Sequence, residues 1–255
     1  MTWNLVTFAN ENFYDRQNYL EKYAEKLGMG SYSYTHEWLK EQDFYEENKN
    51  ILQDETGLGY FLWKAYIIDD AIKKMEDGDV LFYTDVGDIF TPSLVQYVES
   101  IMEDDPCLLI KGNFKNKDWT RRDCFVYMDC DEEDYWESPQ LEGGISFWRV
   151  CDQSKEIVGE WLKFASDRRI ISDDENVCGK DNFPTFKEHR WDQSILTNLA
   201  VKNGLSVAPE DIRGYIECNY DYWYERYANG GAPIYRPVDK FLQEKKDELM
   251  GLYNA

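Results

Sequence analysis

The chain has no apolar run approaching the ~20 residues a membrane-spanning helix requires, so no segment of it reads as a membrane span. It is poor in positive charge: 28 Lys and Arg stand against 50 Asp and Glu, a formal net charge of −22. Such a surface repels phosphate backbones and anionic lipid, which argues against nucleic-acid binding and against docking on acidic membranes. Histidine is scarce, with two in 255 residues. No Cys-x-x-Cys pair and no Cys/His cluster occurs, so a structural zinc site is not expected. The six cysteines (Cys107, Cys124, Cys130, Cys151, Cys178 and Cys218) are widely scattered. An export signal is also missing, because the residues from Thr2 to Phe8 already read as a strand with no basic segment ahead of them. Reduced cysteines and a cytoplasmic location follow as expectations. No Pro-, Gly- or Ser-rich linker and no internal repeat divides the chain, which predicts one domain over residues 1–255.

Hydrophobic residues make up 43% of the chain and aromatic ones 16%, enough for a sizeable core. The periodicity predicts a strand at Trp3–Phe8, a helix from about Asp15 to Leu27, and a strand at Ser31–Thr35. A long charged helix should then run to about Leu52, and a further one over Tyr60–Met75. Val80-Leu81-Phe82-Tyr83 is a continuous apolar strand of the kind buried on both faces, and Thr91-Pro92 reads as the cap of a new helix. Strands at Cys107–Lys111, Phe125–Met128 and Ile145–Val150 alternate with helices at about Gln153–Ser166 and Trp191–Lys202, and an amphipathic helix is expected over 238–255. This alternation is that of an α/β fold around a mostly parallel sheet flanked by helices.

In such a sheet, ligands bind beyond the carboxyl ends of the strands. Asp85 and Asp88 stand there, separated only by Val86 and Gly87. Two carboxylates on one turn present hard oxygens to a divalent cation, which would bridge to phosphate oxygens of a substrate. A turn rich in Asp and Gly ahead of a helix is the plainer alternative. The acidic runs Asp129–Asp134 and Asp173–Glu175 read as solvated loops. The basic patch Lys115–Arg122, with Trp119 inside it, could steer an anionic ligand or offset neighbouring acid.

The segments Gly57–Asp70 and Gly78–Asp88, together with Glu142–Arg149 and His189–Leu196, resemble small cytosolic GT-A glycosyltransferases of bacterial and viral polysaccharide loci. The resemblance runs from about Asn4 to Leu199. It departs at the acidic turn, where Asp-Val-Gly-Asp stands in place of the family's Asp-x-Asp. Either Asp88 reaches the ion from one residue later, or Asp85 acts with water and backbone.

What the resemblance implies is a Mn2+- or Mg2+-dependent enzyme in a bacterial or virus-infected host cytoplasm. It would transfer a sugar from a nucleoside diphosphate sugar to a hydroxyl of a glycan or related acceptor. Asp85 and Asp88 would hold the metal. Thr7, Phe8, Ala9, Lys64, Thr84, Gly143 and Gly144 would line the nucleotide sugar, with Phe8 or Tyr14 stacking on the base. Glu142, Asp192 and Gln193 would be catalytic: inversion would use Glu142 or Asp192 as base, and retention would place Asp192 or Gln193 on the opposite face of the sugar. The nucleotide part would cover about 1–112 and the acceptor part about 113–237. Asp192 and Gln193 are also explained as a helix start, and His189 as a partner of a backbone carbonyl. A sugar- or nucleotide-binding module without turnover, and a metal-dependent phosphohydrolase with Asp85 as nucleophile, are the rival readings.

Overall fold

The computed structural model describes residues 1–217; the expected helix at 238–255 and Cys218 lie outside the described residues. Eight strands form among them: β1 (Trp3–Ala9), β2 (Gly30–Thr35), β3 (Val80–Thr84), β4 (Ile89–Phe90), β5 (Cys107–Lys115), β6 (Pro139–Arg149), β7 (Ser206–Val207) and β8 (Ile216–Glu217). The longer helices are α1 (Tyr14–Lys26), α2 (Leu62–Lys74), α3 (Leu94–Met102), α4 (Asp152–Ala165) and α5 (Trp191–Asn203).

Six strands make one sheet in the order β2-β1-β3-β6-β5-β7. β1 runs parallel to β2 and β3, and β5 runs parallel to β7. β6 is antiparallel to both of its neighbours. The sheet is therefore mixed and mostly parallel, an α/β fold as the sequence predicts, with one reversed strand at its centre. Every residue of β1 and of β3 is buried, which is why their sequences are apolar runs rather than alternations. α2 buries Leu62, Ile67, Ile68 and Ile72 against the sheet and α4. Each such side chain contributes roughly 1.5–3 kcal/mol through burial. α5 is buried along nearly its whole length between β6 and α4.

Three expectations fail locally. The long charged helix is three short ones (His36–Lys40, Asp43–Glu47, Lys49–Leu52). Gln42 is extended between the first two, and the Gln42 and Asn48 side chains donate back to the carbonyls of Trp38 and Phe44. The breaks let Phe44 stack on Tyr66 at 3.9 Å while Trp38 approaches the same ring at 5.9 Å. The expected strand at Phe125–Met128 is part of a helical segment, Arg122–Tyr127, whose Cys124 and Phe125 are fully buried. α3 begins at Leu94, so Thr91 meets it through its carbonyl rather than as the side-chain cap.

The described residues divide into two compact units: 1–86 with 102–209, and 87–101 with 210–217. The six-stranded sheet belongs to the first. In the second, β4 and β8 pair antiparallel, and Tyr97 stacks on Tyr215 at 4.3 Å. Cys107, Cys124, Cys130, Cys151 and Cys178 are free thiols. Among the described residues no helix is long and apolar enough to cross a membrane.

Candidate active site

The site is built where β6 outruns its neighbour. The β5–β6 register passes from Leu109↔Ser146 to Lys111↔Leu141, five steps along β6 against two along β5. The surplus residues form a bulge, a device that re-aims backbone and ends pairing. On one side of it, the Gly144 carbonyl accepts from Asp85 N–H at 2.9 Å and ties the end of β3 to β6. On the other side, Gly143 finds side chains where β5 would have supplied backbone. Its N–H donates to Gln193 Oε1 at 3.0 Å, and its carbonyl accepts from Lys64 Nζ at 2.8 Å. Space beside Gly143 is tight. A Cβ on it would stand 3.1 Å from Gln193 Cβ and 3.2 Å from Asp192 Oδ2.

Lys64 is the hub. Its Nζ lies 3.3 Å from Asp192 Oδ2 and 3.7 Å from Asp85 Oδ1, and the residue is 3% exposed. Burial works to lower the Lys64 ammonium, but the Asp192 and Asp85 carboxylates outweigh it and the amine stays charged, raised above its usual value. Asp192 is also buried, and burial pushes its carboxyl up to about 6, with Lys64 opposing and Asp85 adding to the rise. Asp192 Oδ2 has no hydrogen-bond partner among the described residues beyond this ion pair. A buried charge is costly unless something pairs with it, and here Lys64 is the pair.

Local sequence explains how Lys64 comes to be there. Gly57, Leu58, Gly59, Tyr60 and Phe61 all have positive φ, between 54° and 95°. Three of these are not glycine, and each such residue costs roughly 1–2 kcal/mol in that region. The corner is held by Trp63 Nε1 donating to the Gly57 carbonyl at 2.8 Å and by Tyr60 hydroxyl donating to Asp54 at 2.7 Å. A Cβ at Gly59 would meet the Leu52 Cα at 2.5 Å. α2 thus starts at Leu62, two residues later than its periodicity suggests, with Lys64 in its first turn.

The structure brings Lys64, Asp85, Gly143, Gly144, Asp192 and Gln193 together. Gln193 is gripped at both ends of its amide, since Nε2 donates to Gln140 Oε1 at 3.0 Å. Asp85 is part exposed, and its Oδ1 accepts from the Tyr83 hydroxyl at 2.6 Å. Thr84 and Ala9 are buried at their strand ends, and Thr7 accepts from Gln17 Nε2 at 3.1 Å. Phe8 is buried and stacks on Trp63, centroids 3.9 Å apart. Tyr14 hydroxyl donates to Glu37. Glu142 is half-buried on β6, and Asp88, a residue of the second unit, is buried. Gln140, Tyr83 and Trp191 complete the site without having been read from the sequence. Trp191 has φ 45° and packs its ring 5.6 Å from Phe61.

His189 is committed elsewhere. Arg121 N–H donates to Nδ1 at 3.2 Å, so Nε2 carries the proton and donates to the Ile170 carbonyl at 2.9 Å. Burial first, and Arg121 second, push its pKa down to about 3. Both nitrogens are used, so the imidazole is no metal ligand. Among the described residues no three His, Cys, Asp or Glu side chains converge as a metal cage. A cation carried on a diphosphate needs none, because Mg2+ is held by one or two carboxylates plus substrate phosphates. Asp85, a hard donor 40% exposed in its side chain, fits that requirement.

No protein-family profile matches the chain, and no curated protein does. Several glycosyltransferases are among the solved structures similar to it. The galactosyltransferase LgtC, solved with donor and acceptor sugar analogues, aligns at 12% identity with a TM-score of 0.47, covering 97% of this chain and 95% of that one. A glycosyltransferase involved in glycosylation of the major capsid of PBCV-1 aligns at 12% identity and a TM-score of 0.37, over 64% of this chain and 67% of that one. The glycosyltransferase GlyE of Streptococcus pneumoniae aligns at 12% identity and a TM-score of 0.44 over 90% of this chain, which spans half of that protein.

Proposed function

We propose that the chain is a glycosyltransferase, moving a sugar from a nucleoside diphosphate sugar to a hydroxyl of a glycan or related acceptor. The observation that carries this reading is the meeting of Asp85, Lys64, Gly143, Asp192 and Gln193 at the carboxyl end of β3. That is where an open α/β sheet takes its ligand. Asp85 would hold a divalent cation, Mn2+ or Mg2+, which when bound offsets charge on the leaving diphosphate. Asp88 is its second donor on the sequence pattern alone.

The chain's own residues account for the rest. Lys64 holds Asp85 and Asp192 in register and does so as a positioning residue, its ammonium already occupied by two carboxylates and a carbonyl. Asp192 supplies fixed negative charge in a dry site, where it acts most strongly on the positive charge a sugar ring develops as its leaving group departs. Gln193, fixed at both ends, sets the wall beside Gly143, whose missing Cβ leaves backbone open to the sugar. Positioning of the two substrates supplies much of the rate.

One variant separates this reading from a merely structural one. Asp192→Ala is expected to lower sugar-nucleotide turnover by orders of magnitude, at tenfold per ~1.4 kcal/mol of lost transition-state contact. Calorimetry with uridine and guanosine diphosphates, with and without Mn2+, should show affinity unchanged, because those ligands lack the sugar. Normal turnover with a lowered melting temperature would make Asp192 a helix-start residue. Binding without any consumption of sugar nucleotide would make the protein a binding module, and phosphate release from a model ester a hydrolase.

A further inference from the structure

The segment 172–190, between the short helix Arg168–Ile171 and α5, has no regular structure. Loops of that length in a compact fold are usually functional or disordered. This one is pinned. Asp123 is fully buried, and its carboxylate accepts from Val177 N–H at 2.9 Å and Cys178 N–H at 2.9 Å. Asn182 Oδ1 accepts from Arg122 N–H at 2.8 Å, the Arg122 guanidinium lies 4.3 Å over Phe183, and Lys187 N–H donates to the Asp118 carbonyl at 2.8 Å. A loop held this firmly has a shape to keep.

What it encloses is a cleft of about 290 Å³, whose walls include Arg121, Asp173, Glu175, Phe186, Glu188 and Trp191. Arg121 is 3% exposed, and its Nε and Nη1 make no hydrogen bond among the described residues. Its charge is answered by Asp123, 3.5 Å from Nη2, so what it has left to offer is donor capacity rather than net charge. Trp191 Nε1 donates to Asp173 Oδ1 at 3.0 Å, which holds the indole at the wall. Trp191 is the residue before Asp192, so the cleft lies one residue along the chain from the site above.

We propose that this cleft binds a neutral saccharide, the acceptor side of the transfer; the assignment to the acceptor rests on the glycosyltransferase reading. Two rings, Trp191 and Phe186, suit the apolar face of a sugar. The Asn176 and Asn182 amide oxygens are spent on the loop itself, and the exposed carboxylates of Asp173 and Glu175 are the groups that accept from hydroxyls. The preponderance of carboxylates on the walls repels a phosphorylated or carboxylated glycan, so the charge selects an uncharged one.

The test uses the full chain without donor and ligand-observed saturation-transfer NMR. Lactose, maltotriose and chitobiose serve as neutral probes, against a disaccharide carrying a uronic acid and one carrying a free amine. At least one neutral probe should bind, and Phe186→Ala should weaken it tenfold or more. Asp173→Asn, which keeps the acceptor for Trp191, should weaken it severalfold at unchanged melting temperature. Failure of every neutral probe, binding indifferent to both variants, or preference for the acidic or the cationic probe overturns the proposal. Sugar-nucleotide turnover is measured on the same samples. Cleft binding without turnover removes the transferase reading and leaves a saccharide site. Turnover with binding untouched by the variants removes the cleft alone.

Discussion

Two groups of lysines and carboxylates in this molecule look alike on paper and differ in physics. At the surface, Lys115 and Lys117 share Glu137, with Lys115 Nζ 2.6 Å from it and the two partners 58% and 39% exposed in their side chains. In the interior, Lys64 serves Asp85 and Asp192, and the Lys64 and Asp192 side chains are each 4% exposed. Water and salt screen the first group, so each member could leave with little consequence. In the second, removing Lys64 or Asp192 strands the other in a medium that does not solvate it, while Asp85, 40% exposed, keeps its water. The basic patch of the sequence is thus the less informative of the two, its first lysines answering a neighbouring acid. The lone lysine of α2 is the informative one.

The contrast can be broken most severely at its centre. Lys64→Met should cost about 3–5 kcal/mol of stability, the usual cost of leaving a buried charge unpaired, read as a lowered urea midpoint, and should abolish turnover. An unaltered midpoint would show that the interior group is no more coupled than the surface one.

A pH titration sharpens the same point at a buried group whose hydrogen bonds both go to backbone. The ordinary pKa of histidine is 6.5 and that of His189 in the fold is about 3. Between those values the unfolded chain binds the extra proton, so His189 withdraws stability as pH falls from about 6.5 toward 3. His189→Gln, which retains one donor and one acceptor, should make the acid limb shallower by about 1.4 kcal/mol per pH unit. Identical slopes in denaturation series for the two proteins would remove His189 as the cause. Smallest of all, Glu137→Gln should leave the melting temperature where it is. A clear fall would mean that the exposed cluster is structural after all.

The sheet was legible because its strands are apolar runs set between helical periodicities. β1, β2, β3 and the helices α1, α4 and α5 lie close to where the residues predict them. Reading failed where tertiary partners decide. Cys124-Phe125-Val126-Tyr127 suits a strand by composition, and a short apolar run does not distinguish strand from buried helix. In the fold it becomes a helical turn beside the residue that pins a loop fifty positions away, as Asp123 reaches Val177. The candidate site was legible in its residue types but not in its wiring. Lys64 read as a residue lining the nucleotide sugar, and nothing local reveals that β6 bulges and offers it the Gly143 carbonyl. Asp173–Glu175 read as a solvated run, and all three are exposed in the irregular loop; only the cleft they border, which forms when the loop is tied down, was not legible.

The left-handed corner at Gly57–Phe61 has a dynamic consequence. Helix ends ordinarily fray, because first-turn amides lack partners and a residue lost there costs little. α2 cannot lengthen or shorten at this end by the usual one-residue steps, since the residues ahead of it wind in the opposite sense and are latched by the Trp63 indole. The first turn, which carries Lys64, therefore opens only if the whole corner unlatches. The helix end nearest the site acts as a fixed stop rather than a loose thread, and its amides exchange with solvent on the clock of the core.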